Sequence, residues 1–79
     1  MSVFIRSNYI SFFRVKKGLT QSELASLLGV SKNTISSYEI GVFNPSLNHA
    51  VQLCVILDVD FCKLFDVYDS DRGLLYDSI

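Results

Sequence analysis

Between Thr20 and Gly41 the chain reads TQSELASLLGVSKNTISSYEIG, with two helix-start signals eleven residues apart and a glycine between them. Thr20 followed by Glu23 is a capping box, in which each side chain satisfies an orphan N–H of the first turn, and Leu24, Ala25 and Leu28 then form an apolar stripe. Gly29 closes that helix. Ser31 starts another by accepting from the N–H of residue 33 or 34, Ile35 and Tyr38 supply its inward face, and Gly41 ends it. One long amphipathic helix is therefore excluded. Two short helices joined by a glycine-containing turn of three or four residues cross steeply, so the second protrudes as a rod. Its outer face carries Lys32, Asn33, Thr34, Ser36 and Ser37, mostly short polar side chains. An α-helix fits the major groove of B-DNA, and short side chains let its axis approach the base edges.

The flanking sequence predicts three more helices. Asn8 to Lys17 places Tyr9, Ile10, Phe13 and Lys17 on one face and stops at Gly18. Ser46, or Asn44 with Pro45 at the first helical position, starts a fourth helix that buries Leu47, Ala50, Val51, Leu53, Cys54 and Leu57. Asp58 sits where that helix must stop, because Asp tolerates a left-handed cap. Asp60 then caps a short fifth helix, Phe61 to Phe65, and the remainder, VYDSDRGLLYDSI, has no helical period. VFI near one end and LLY near the other are apolar runs able to pair as a two-stranded sheet. The expected fold is all-α, a compact five-helix domain over 1–79, with a helical core at 8–66, a C-terminal arm at 67–79 and that optional pairing of the arms.

Composition narrows the function. A chain of 79 residues buries only about 60% of its unfolded surface, yet 49% of this one is hydrophobic and 13% aromatic. Some apolar surface is expected to meet a partner. The net charge of −1 hides a polarity: residues 1–39 hold five cations against two anions, a balance of +3, and residues 40–79 hold two against six, a balance of −4. Such a molecule can turn a cationic face to a polyanion. Arg6, Gln52 and Asp58 break the apolar runs well short of the roughly 20 residues that span a bilayer. With no signal-peptide pattern either, no membrane role is expected and the predicted location is cytoplasmic. Cys54 and Cys62 read as buried free thiols.

Enzymatic chemistry finds no footing. The single histidine, His49, is expected on the exposed side of the fourth helix, and there is no GxSxG elbow or glycine-rich phosphate loop. With Cys54 or Cys62 it lacks the spacing and the fourth donor that zinc needs. A calcium loop starting at Asp69 would put Gly73 where an oxygen ligand belongs, so Asp66, Asp69 and Asp71 read as a solvated acidic turn. No metal, cofactor or small-molecule effector is expected.

Leu19-Thr20-Gln21, Leu24-Ala25, Gly29-Val30-Ser31, Ile35-Ser36, Tyr38-Glu39, Gly41 and Pro45-Ser46-Leu47 occur in order, and AVQLCVILDVDFCKLF follows. Over about residues 8–66 this pattern resembles the Cro/cI-type helix-turn-helix domain, the XRE family. The resemblance implies that Gln21 binds a DNA phosphate, with Thr20, Thr34, Lys17 and Asn44 as further phosphate contacts. It also implies that Lys32, Asn33, Ser36 and Ser37 read base edges, and that Arg14 and Glu39 form a partly buried structural ion pair. Asn can pair with adenine and Lys with guanine, each good bidentate contact adding roughly 1–3 kcal/mol of discrimination. Two departures stand out. Ile40, Val42 and Phe43 occupy a loop that the family often makes polar or cationic, and Phe12, Leu27 and Val55 replace residues usually polar.

The expected function is a sequence-specific DNA-binding transcriptional regulator, a repressor, bound as a homodimer to a palindromic operator with helix 31–39 in the major groove of double-stranded DNA. With no sequence left for an effector domain, Val55, Phe61, Phe65, Tyr68, Leu74, Leu75 and Tyr76 are assigned to the dimer interface. The alternative is a protein-binding modulator or antitoxin-like partner that keeps the fold. A restriction-modification controller would share the DNA mechanism.

Overall fold

The computed structural model describes residues 2–75. Along the chain run β1 (Val3–Asn8), α1 (Ile10–Lys16), α2 (Gln21–Leu28), α3 (Lys32–Ile40), α4 (Leu47–Leu57), α5 (Phe61–Leu64), β2 (Phe65–Asp69) and β3 (Gly73–Leu74).

The helix boundaries follow their caps. Thr20 Oγ1 accepts the Glu23 N–H at 3.0 Å, and Glu23 Oε1 accepts the Thr20 N–H at 2.9 Å. The bond from the Thr20 backbone holds the Glu23 carboxyl below its ordinary range. Ser31 Oγ accepts from the Thr34 N–H, and Ser46 Oγ from the His49 N–H, each at 3.2 Å, so Ser46 rather than Asn44 starts α4. Asp58 ends α4 in the left-handed region at φ 54° and ψ 54°. Gly29 ends α2 at φ 79°, and a Cβ built there would meet nothing within 4 Å. The cost of Gly29→Ala is therefore backbone strain alone, about 1–2 kcal/mol by urea denaturation. A loss above about 3 kcal/mol would contradict this account of the turn.

Ile10, Leu24, Ala25, Leu28, Ile35, Tyr38, Ala50, Leu53, Leu57, Leu64 and Phe65 form one core drawn from all five helices and β2. The sequence reading places α1 from Asn8, but Asn8 belongs to β1, and the Tyr9 N–H donates to Leu64 O at 2.8 Å. Likewise α5 stops at Leu64, because Phe65 is already extended at φ −125° and ψ 135°. Asp60 holds the N-cap position of α5 without a side-chain capping bond.

The terminal arms pair, although not as VFI against LLY. The sheet is antiparallel in the order β1-β2-β3, with Phe4 opposite Tyr68, Ile5 opposite Val67 and Asn8 opposite Phe65, and a register shift between Ile5 and Ser7. On the other edge of β2, Tyr68 faces Leu74 and Asp69 faces Gly73. The VFI run and Leu74 thus flank the segment that leaves α5. Asp69 Oδ1 closes the β2–β3 turn by accepting the N–H groups of Asp71 at 2.7 Å and Arg72 at 3.2 Å. Asp66 Oδ2 accepts from Ser7 Oγ at 2.5 Å. Asp66 and Asp69 are consequently buried, which corrects the reading of a solvated acidic turn.

Candidate nucleic-acid interface

Two residues of α3, Ile35 and Tyr38, join the apolar core. On its other side Lys32 and Asn33 are exposed, while Thr34, Ser36 and Ser37 are half-buried. The five polar residues therefore form a low ridge whose most open point is the helix N-terminus. Thr34 Oγ1 lies 2.9 Å from Ser31 Oγ, which ties its hydroxyl to the cap.

Beside this ridge lies a cleft of about 680 Å³, lined by Arg14, Val15, Gly18, Leu19, Thr20, Gln21, Ser22 and Lys32. It brings the first turn of α2 against the start of α3. First-turn N–H groups have no intrahelical acceptor, so a helix N-terminus of this kind favours an anion. Lys17 is exposed at the end of α1. Thus Thr20, Gln21 and Lys32 line one surface cleft, whereas Lys17 lines a separate hollow with Phe13, Lys16, Leu57 and Asp58.

One carboxylate organises the back of this surface. Glu39 Oε2 accepts from Arg14 Nε at 2.6 Å, and Glu39 Oε1 accepts from Gln21 Nε2 at 2.9 Å and Arg14 Nη2 at 3.4 Å. Arg14 Nη1 also donates to Leu19 O at 2.8 Å. The pair is largely withdrawn from water, at 14% and 6% side-chain exposure for Arg14 and Glu39. These two charges cancel each other inside the domain. Of the other cations, Lys32 stands on the ridge, and Lys16 and Lys17 are exposed at the end of α1. Gln21 keeps a second N–H and its carbonyl oxygen for an outside partner.

Asn44 is exposed, and its Nδ2 donates to Ile5 O on β1 at 3.2 Å. His49 is not on the open side of α4. It is half-buried, with Nδ1 2.9 Å from the Tyr38 hydroxyl, and burial pushes that phenol up from its ordinary value. Phe43 packs edge-on against Tyr38, with centroids 5.3 Å apart. Asn8, which sequence reasoning missed, donates from Nδ2 to Tyr38 O at 2.9 Å. A lone Asn before an apolar run carries no signal for a contact thirty residues away.

The assigned dimer residues divide among several places. Val55 is 75% exposed and, with Phe13, Val51 and Phe61, lines a groove of about 490 Å³ whose rim carries Asp58, Asp60 and Lys63. Tyr68 and Leu74 lie on the sheet, where Tyr68 packs against Phe4 with Arg6 4.9 Å from its ring centroid. Leu75 is exposed. Phe65 is 0% exposed, so it is core and offers no surface to a partner. Tyr76 lies outside the described residues. Phe12 and Leu27 are exposed, and Cys54 and Cys62 are free and half-buried. Among the described residues no group of three or more His, Cys, Asp and Glu could hold a metal ion, and no helix is long and apolar enough to cross a membrane.

Residues 10–64 match the family described as helix-turn-helix. An uncharacterized HTH-type transcriptional regulator of Methanocaldococcus jannaschii is 36% identical over 65 residues, covering 82% of this chain and 97% of the relative. The cryptic phage CTXphi transcriptional repressor RstR of Vibrio cholerae is 35% identical over 68 residues, which cover 86% of this chain and 60% of that protein. Among solved structures, SinR, the master regulator for biofilm formation, in complex with DNA superposes with a TM-score of 0.61 at 37% identity, over 67% of this chain and 86% of that one. Helices, caps and matched residues agree: the chain belongs to the Cro/cI-type (XRE) helix-turn-helix family of DNA-binding transcription regulators and is not an enzyme.

Proposed function

We propose that this chain is a sequence-specific repressor that binds a palindromic operator as a homodimer, with α3 in the major groove. The observation that carries the reading is the exposed pair Lys32 and Asn33, standing beside the cleft at the N-terminus of α2. In that pose Lys32, Asn33, Ser36 and Ser37 meet base edges, while Thr20, Gln21 and Lys17 meet phosphates. Thr34 and Asn44 complete the phosphate set, and like Thr20 and Gln21 each also holds a partner within the chain. The repressor role draws on the likeness to RstR, which is named as one. Two copies joined across the groove at Val55 and Phe61 must set their recognition helices about 34–36 Å apart to meet successive turns of DNA. Tyr68, Leu74 and Leu75 extend that interface over the sheet.

Selection from random duplex DNA at two salt concentrations tests the reading. It is expected to return a palindromic motif, with log K falling against log salt at a slope of about −5 for roughly six phosphate contacts. The slope is shallow because Arg14 is spent inside the domain and apolar residues occupy the loop after α3. Asn33→Ala should relax preference at one base position, whereas Gln21→Ala should weaken every sequence alike. No motif from the wild type would sink the base-reading assignment, and only an 8.9 kDa species in light scattering at micromolar concentration would sink the dimer.

A second reading rests on Ile40, Val42 and Leu47, which are 74%, 66% and 76% exposed around the end of α3. So large an apolar display suits a protein partner in place of DNA. Stoichiometric co-purification with another protein, without salt-sensitive DNA binding, would favour it.

A further inference from the structure

The residues that match the family end at 10 and 64, and the sheet strands β1, β2 and β3 lie outside them. β1 nevertheless reaches the proposed reading helix directly. Asn8 Nδ2 donates to Tyr38 O at 2.9 Å, in the last turn of α3, where carbonyls lack intrahelical partners. The same carbonyl accepts the Gly41 N–H at 3.2 Å, so both of its lone pairs are occupied. Asn8 Oδ1 accepts the Ile10 N–H at 3.0 Å, which joins the start of α1 to the end of α3 through one amide. A second amide crosses the other way, from Asn44 Nδ2 in the loop after α3 to Ile5 O in β1 at 3.2 Å. β1 itself is held by its ladder with β2, where Asn8 stands opposite the fully buried Phe65.

We propose that Asn8 is a positioning residue for DNA reading: the N-terminal strand braces α3 and its exit loop through the Asn8 and Asn44 amides, so that sequence discrimination depends on β1. The inference rests on the DNA-binding reading above and deepens it. The place for a brace is the C-terminal end of α3. Ile35 and Tyr38 are its two apolar residues in the core, and beyond Tyr38 the helix is held by polar ties. Glu39 ties it to α1 and α2, and Asn8 ties it to the sheet. Phosphate contacts from flexible side chains tolerate a small rotation of α3, whereas bidentate base contacts do not. Loss of the brace should therefore lower discrimination more than general affinity.

The test uses the full chain, the duplex that the wild type selects from random DNA, and a scrambled duplex of equal composition. Asn8→Asp keeps the acceptor for the Ile10 N–H and replaces the donor at Tyr38 O with an oxygen. Asn8→Ser is too short to reach Tyr38 O, adds no charge, and serves if Asn8→Asp does not fold. Circular dichroism well below the melting temperature establishes that each variant is folded. The expected result is a fall of about tenfold in the selected-to-scrambled affinity ratio for Asn8→Asp, the discrimination of about one base contact, with scrambled binding and salt slope unchanged. A merely structural role would lower the melting temperature and leave that ratio alone. Folded variants that keep the ratio within about twofold of wild type, or lose affinity equally for both duplexes, would overturn the brace while leaving DNA binding intact. A wild type that selects no motif would overturn both readings.

Discussion

Arg14→Ala is expected to lower folding stability by about 3–5 kcal/mol, measured by urea denaturation followed by circular dichroism. The magnitude comes from what the substitution strands. Glu39 has 6% side-chain exposure and accepts two N–H bonds from Arg14 and one from Gln21. Without the guanidinium its carboxylate stays buried with a single neutral donor, and Leu19 O loses its partner as well. Small domains hold roughly 0.05–0.15 kcal/mol per residue, or about 4–12 kcal/mol for a 79-residue chain, so this loss removes at least about a quarter of the total. The double variant Arg14→Met with Glu39→Leu should lose less than the single, because removing both charges leaves no uncompensated ion. A single-variant loss under about 1 kcal/mol would show that the pair behaves like an exposed one.

The features that sequence reasoning captured share a local cause. Three helix starts are set by a hydroxyl and an N–H three residues on, at Thr20, Ser31 and Ser46, so there the signal and the structure lie within one turn. The stops are equally local: Gly29 and Gly41 at φ 79°, and Asp58 at φ 54°. The sheet was legible only as two apolar ends. Its central strand is the run after α5, and its partners Val3 and Asp69 lie 66 residues apart, beyond any periodicity that a short strand can display. Asp60 shows the limit of local signals, since the right residue type at the right place makes no capping bond.

The proposed site divides in the same way. Lys32 and Asn33 could be placed on an open helix face from the spacing of Ile35 and Tyr38 alone. The attachments of that helix could not. Gln21 to Glu39, Asn8 to Tyr38 O and Tyr38 to His49 are side-chain bonds between elements, and they appear only once packing has set the distances. His49 was misplaced for a related reason: a helical wheel assigns inward and outward faces, but a residue on the flank faces whichever neighbour lies there. Here the neighbour is the Tyr38 hydroxyl.

Phe65→Ala is expected to cost about 3–5 kcal/mol, the range for emptying a buried aromatic site. The sequence reading put Phe65 at the dimer surface with the other apolar residues of the fifth helix and tail, yet the chain turns extended at residue 65 and the ring lies in the core. It is 0% exposed, with its ring centroid 4.9 Å from that of Phe61. The two assignments predict different concentration dependence. A core residue lowers the stability of each subunit, so the urea midpoint should fall by the same amount at dilute and concentrated protein. Val55→Asp, at a side chain 75% exposed, should leave the dilute midpoint nearly unchanged and weaken self-association in light scattering. If Phe65→Ala kept its dilute midpoint and lost only self-association, the ring would have to leave the core in solution. The strand that carries it could then no longer hold Asn8 against the end of α3, because Phe65 is the residue paired with Asn8.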